Sequence, residues 1–164
     1  MKLVVGLVVA LVGIGWVRPV AAVAVVAAQP AAAADLQASG TAQASSLVFT
    51  DARSADGNTI LEGIQQGVIG GTLTGTWVEQ FRLVVHPNEA TNFHSFLTVV
   101  GTVAGCGTGT IRFVVDGQGD GPLTEGRFRT IDQSDTTVDV HAVLDFVAFV
   151  PTGTITYTGT YNCR

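Results

Sequence analysis

Trp77-Val78-Glu79-Gln80-Phe81-Arg82-Leu83-Val84-Val85 and Phe93-His94-Ser95-Phe96-Leu97-Thr98-Val99-Val100-Gly101-Thr102-Val103, joined through His86-Pro87-Asn88-Glu89-Ala90-Thr91-Asn92, decide the fold of this chain. Each flank alternates with a period of two, and the linker is rich in turn formers, so the stretch reads as a β-hairpin. Placing Val85 opposite Ser95 sets Leu83 against Leu97, Phe81 against Val99, Glu79 against Gly101 and Trp77 against Val103. That face is almost wholly apolar. The other face sets Val84 against Phe96, Arg82 against Thr98, Gln80 against Val100 and Val78 against Thr102, a mixed surface suited to contact with water.

The pattern spreads in both directions. Strands are expected over residues 40–50, 58–69, 72–86, 92–104, 109–116, 123–131, 142–150 and 153–162. Ile111, Phe113 and Val115 share a face opposite Thr110 and Arg112. Ile155, Tyr157, Tyr161 and Cys163 share one opposite Thr152, Thr154, Thr156, Thr158, Thr160 and Asn162. Rows of threonine suit an exposed strand face, because β-branching favours the extended backbone and the hydroxyl tolerates water. Eight such runs without a long helix between them imply antiparallel neighbours. The in-strand glycines, Gly70-Gly71, Gly75, Gly101 and Gly159 among them, favour a sheet curled into a closed barrel over a flat one. The fold class is all-β, an eight-stranded antiparallel barrel.

Residues 1–34 read differently. Lys2 precedes an apolar run from Leu3 to Val17, Arg18-Pro19 interrupts it, and an Ala-rich end leads to Ala34. A basic start, an apolar centre and small residues at the end are the marks of a secretory signal peptide, with cleavage expected after Ala34. The alternative is an uncleaved anchor, against which stands the break at Arg18 and Pro19 before the roughly 20 apolar residues a spanning helix needs. The expected location is secreted or otherwise extracytoplasmic, with no membrane attachment after cleavage.

Without Lys2 and Arg18, six basic residues remain against 13 acidic ones, a net charge of −7 on residues 35–164. That balance offers no footprint for nucleic acid or for an anionic lipid surface. The mature part has the size of one domain with one core. Cys106 and Cys163 both lie in it, and an even count in an exported chain points to a disulfide. The alternative is a pair of unpaired buried thiols. Two cysteines cannot fill a four-ligand zinc shell and no His lies at ligand spacing beside either, so no metal is expected. No dinucleotide fingerprint or phosphate loop is present, and no cofactor is expected.

Gly71-Thr72-Leu73-Thr74-Gly75-Thr76-Trp77, then Asn92-Phe93, the run Val99-Val100-Gly101-Thr102-Val103-Ala104-Gly105-Cys106-Gly107-Thr108-Gly109-Thr110 and the closing Tyr157-Thr158-Gly159-Thr160-Tyr161 resemble the allene oxide cyclase barrel-like family. The likeness spans roughly residues 40–162 and is to the bacterial, functionally uncharacterised branch more than to the plant cyclases or the dirigent proteins. It implies an eight-stranded barrel with a cavity. No position matches the plant enzymes' catalytic residues, so none is carried over.

Glu79 stands out among candidate functional residues, because alternation sets it among Trp77, Phe81, Leu83 and Val85. A buried carboxylate has a raised pKa and can serve acid/base chemistry; the alternative is a solvated position at the barrel mouth. Trp77, Glu79, Phe81, Asp145 and Tyr157 are the pocket candidates. Asp145 lies in a strand apolar on both faces, so alternation does not fix its direction. Asp116-Gly117-Gln118-Gly119-Asp120-Gly121 begins like a calcium loop but has Arg127 at the twelfth position, and reads as a polar hairpin turn. His86 and His94 are expected near each other at the hairpin end, and His141 elsewhere. Three functions fit: a binding protein holding a small apolar molecule in the barrel, a noncatalytic structural or surface-interaction domain, or a cyclase or isomerase using Glu79.

Overall fold

Alternation is translated directly into strands. The computed structural model describes residues 34–132 and 135–164. It contains β1 (Leu36–Ala55), β2 (Asn58–Gly71), β3 (Leu73–Val85), β4 (Thr91–Val103), β5 (Gly107–Asp120), β6 (Leu123–Thr130), β7 (Val140–Phe149) and β8 (Thr154–Cys163). Each strand pairs antiparallel with the next, and β8 pairs with β1, so the sheet closes into a barrel. The expected leader lies, apart from Ala34, outside the described residues.

Following paired residues once around the ring from Gly109 returns to Gly119, a stagger of ten residues. A stagger of that order tilts the strands by about 40° to the axis and leaves an interior that side chains can fill. Trp77, Val99, Phe113, Leu144, Phe146 and Tyr157 fill it, with Phe128 stacked on Phe146 at a ring-centre separation of 4.5 Å. The threonine row of β8 faces outward, with Thr156 and Thr158 exposed while Tyr157 and Tyr161 are buried.

The β3–β4 hairpin corrects the expected register. Residues 86–90 form a tight turn in which the His86 N–H donates to the Ala90 carbonyl at 2.8 Å and the Glu89 N–H to the His86 carbonyl at 2.9 Å, with Glu89 left-handed at φ 68°. Thr91 thereby joins the strand, and Val85 faces Thr91 instead of Ser95. The ladder slips by four residues, so Gly101 lies opposite Gly75, and Leu97 opposite Glu79. An even slip leaves every side chain on its expected face.

The end of the barrel holding the β4–β5 turn is tied by the Cys106–Cys163 disulfide, with a Cα–Cα distance of 5.2 Å, and by the Tyr161 hydroxyl donating to the Ala104 carbonyl at 2.9 Å. Val138, in the segment before β7, is buried against Gly109 of β5. Among the described residues no helix is long and apolar enough to cross a membrane.

Candidate functional site

Glu79 sits in the middle of β3, with Gln65 of β2 opposite it on one side and Leu97 of β4 on the other. Its side chain points inward and is only 6% exposed. A buried carboxylate must find donors or lose its charge. Here each oxygen has one: the Gln65 amide donates to Oε2, and the Ser95 hydroxyl to Oε1. Burial pushes the Glu79 carboxyl up from its ordinary pKa, and the Ser95 and Gln65 hydrogen bonds oppose that shift without cancelling it.

Trp77, Glu79 and Tyr157 border one small void, together with Leu97, Phe128 and Ile155. Its volume is about 20 Å³, room for roughly one water-sized sphere. Trp77 anchors its indole by donating to the Val68 carbonyl at 3.1 Å. The Tyr157 hydroxyl accepts from the Leu73 N–H at 3.0 Å and donates to the Gly70 carbonyl at 3.1 Å, and burial raises its pKa. Gly40 makes this possible: a Cβ there would lie 2.3 Å from the Tyr157 hydroxyl oxygen and 2.1 Å from the Gly70 carbonyl oxygen.

Phe81 faces inward but is only half-buried, edge-on to the exposed Phe49 with ring centres 6.0 Å apart. Asp145 does not join the interior group. It lies on the outer wall, where Arg127 Nε donates to it at 2.6 Å, and both side chains are largely exposed. There it borders a shallow groove of about 700 Å³ across β4–β8, with Asp116, Glu125 and Arg129.

The remaining polar candidates are placed just as plainly. His86 is held by Asn58 at 2.9 Å and Asn92 at 2.7 Å, while His94 faces Arg82 across the ladder and contacts Asp116 at 2.7 Å. His94, and after it Arg129, hold the Asp116 carboxyl below its ordinary pKa. The two histidines are thus not partners of each other. Residues 116–120 continue β5, and the turn is confined to Gly121 and Pro122. Among the described residues no group of three or more His, Cys, Asp or Glu side chains could hold a metal ion.

Ser95 and Gln65 are the functional neighbours that sequence reasoning did not single out. Ser95 stood on the right face of the expected hairpin, but the four-residue error kept it away from Glu79. Gln65 required the β2–β3 register, which no turn motif in the sequence specifies as sharply.

No protein-family model matches the chain, and no curated protein is significantly similar to it.

Proposed function

We propose that the chain is an exported, noncatalytic structural or surface-interaction domain whose barrel is filled by its own side chains. The observation that carries this reading is the size of the interior void. At about 20 Å³ it falls far below the roughly 300 Å³ at which ligand pockets begin. This supports the filled barrel over a barrel holding a small apolar molecule. It also weighs against a cyclase or isomerase, because Glu79 has hydrogen-bond partners but no adjoining room for a substrate.

Export rests on the leader-like residues 1–34, and the Cys106–Cys163 disulfide fits an extracytoplasmic location. The Gly/Thr motifs, together with a closed eight-stranded antiparallel barrel, support distant membership of the allene oxide cyclase barrel-like family. That membership brings no activity with it, since fold alone assigns none.

Native mass spectrometry of the protein recovered outside the cytoplasm tests both parts. A mass beginning at Asp35 with nothing bound is expected. A co-purifying apolar molecule would overturn the filled barrel, and retention of Met1 would overturn cleavage.

A further inference from the structure

The stagger of the barrel leaves two stretches where one strand outruns its neighbour. At one end, residues 107–112 of β5 extend past β6, and the chain covers them itself. The Ile131 N–H donates to the Arg112 carbonyl at 2.9 Å, the Thr137 N–H to the Thr110 carbonyl at 2.9 Å, and the Thr110 N–H to the Thr137 hydroxyl at 2.8 Å. At the other end, β1 outruns β8. Their last rung is Gln43 with Thr154, followed by the Ala44 N–H donating to the Gly153 carbonyl at 2.9 Å. Beyond it, among the described residues, β1 pairs with β2 alone, and residues 45–55 are all exposed.

A bare strand edge is a template for another strand. This one is apolar on both faces, with Leu47, Val48 and Phe49 each about half exposed. Charges and bulges ordinarily blunt such an edge, and this stretch has Asp51, Arg53 and register shifts between Ala44 and Ser46 and between Phe49 and Asp51. The charges, however, are opposite in sign and two residues apart, so their effect depends on register. Arg53 already donates to Asp51 at 2.6 Å and to Glu62 at 3.2 Å within the chain, so a second strand must exchange the Asp51 pair for one across the axis.

We propose that this edge pairs antiparallel with the same edge of a second copy of the chain, about a two-fold axis at Ala52. Asp51 then meets Arg53 of the second copy, and Arg53 meets Asp51 of the second copy. Asp51 and Arg53 pair with Glu62 and Ile60 of β2, alternate positions, so both ion pairs form on one face. An axis at Asp51 or at Arg53 would oppose like charges. An axis at Val48 would drive residues 52–55 of each copy into the turn at Gly153 of the other. Pairing about Ala52 joins residues 49–55 of the two copies through a two-fold axis that uses the same stretch of each, so this contact closes at two instead of growing into a fibre. The inference goes beyond the filled-barrel reading and does not depend on it.

Charge exchange in trans tests it, with sedimentation of the processed exported protein as the readout. Wild type should sediment with the mass of two chains, and Asp51→Lys and Arg53→Glu separately with the mass of one. An equimolar mixture of the two variants should regain the two-chain mass, because each supplies the charge the other lacks. Circular dichroism establishes that each variant is folded. Should either variant not fold, Ala52→Cys carries the test alone, and oxidation should link it into a covalent dimer across the axis. Single-chain wild type, two-chain single variants, a mixture of folded variants that stays single, or an Ala52→Cys protein that does not cross-link would each overturn the proposal.

Discussion

Ser95 donates its hydroxyl proton to Oε1 of Glu79 from beside the carboxylate, since Ser95 itself faces Phe81 while Glu79 faces Leu97. The bond therefore runs diagonally across the β3–β4 ladder, and Gln65, directly opposite Glu79 on β2, serves the other oxygen. Both donors are neutral, and no charged group contributes to the shift of the Glu79 carboxyl. Burial is the largest cause of the raised pKa.

The first consequence is a pH dependence. Because the folded pKa of Glu79 is raised, the unfolded chain ionises first as pH increases. The stability contributed by this group is complete below the unfolded value of about 4.3 and is lost as pH rises from there toward the folded value. Glu79→Gln should remove that decline and stabilise the protein near neutral pH, with little effect below pH 4. Chemical denaturation across pH measures it, and parallel profiles for wild type and Glu79→Gln would show that the carboxyl titrates normally.

Ser95→Ala should act in the same place with opposite sign. It leaves Oε1 without its donor inside the barrel, at a cost of about 1–3 kcal/mol. Since the Ser95 bond lowers the Glu79 pKa, removing it should raise that pKa further, so that the loss of stability still begins near the unfolded value but extends to higher pH. NMR titration of the Glu79 carboxyl carbon in both proteins reads this directly; an unchanged midpoint would separate Ser95 from the carboxylate.

How much of this was legible in the sequence follows from what a two-residue period can and cannot carry. Alternation placed Trp77, Glu79 and Phe81 on one side of β3 and the β8 threonines on the other, because burial on one face imprints itself on composition. It could not measure the turn at residues 86–90, whose left-handed Glu89 shortens the loop without a glycine to announce it. Slips by an even number are invisible to alternation. Asp145 stayed undirected for a related reason: β7 carries Val147 and Phe149 exposed on its outer side, so apolar residues line both of its faces. The β1 overhang depends on the ring-wide stagger, which no local pattern records.

The Gly40–Tyr157 contact predicts a steric effect. Gly40→Ala places a methyl group against the Tyr157 hydroxyl and the Gly70 carbonyl, and overpacking of this kind costs about 1–3 kcal/mol. Combining it with Tyr157→Phe should cost less than the sum of the two single changes, since removing the hydroxyl relieves part of the clash. Thermal melts of the two single variants and the double variant form the cycle. Strict additivity would mean that Gly40 is required by the Gly70 carbonyl alone.

The disulfide gives the last prediction. Cys106 follows β4, Cys163 ends β8, and the bond closes a loop with a sequence separation of 57. Cross-linking over that distance restricts the unfolded chain, so reduction should lower stability by about 4 kcal/mol on the loop-entropy scale. The native barrel should nevertheless persist, because Tyr161 still bonds to the Ala104 carbonyl and β8 remains paired to β7 and β1 along its length. The expected observation is a lower denaturant midpoint in the presence of reductant, with an unchanged far-ultraviolet circular dichroism spectrum before the transition. A Cys106→Ser, Cys163→Ser double variant should match the reduced protein and respond no further to reductant. Identical midpoints for oxidised and reduced wild type would mean that the two thiols do not lock this end of the barrel, and that Tyr161 and the sheet hold it unaided.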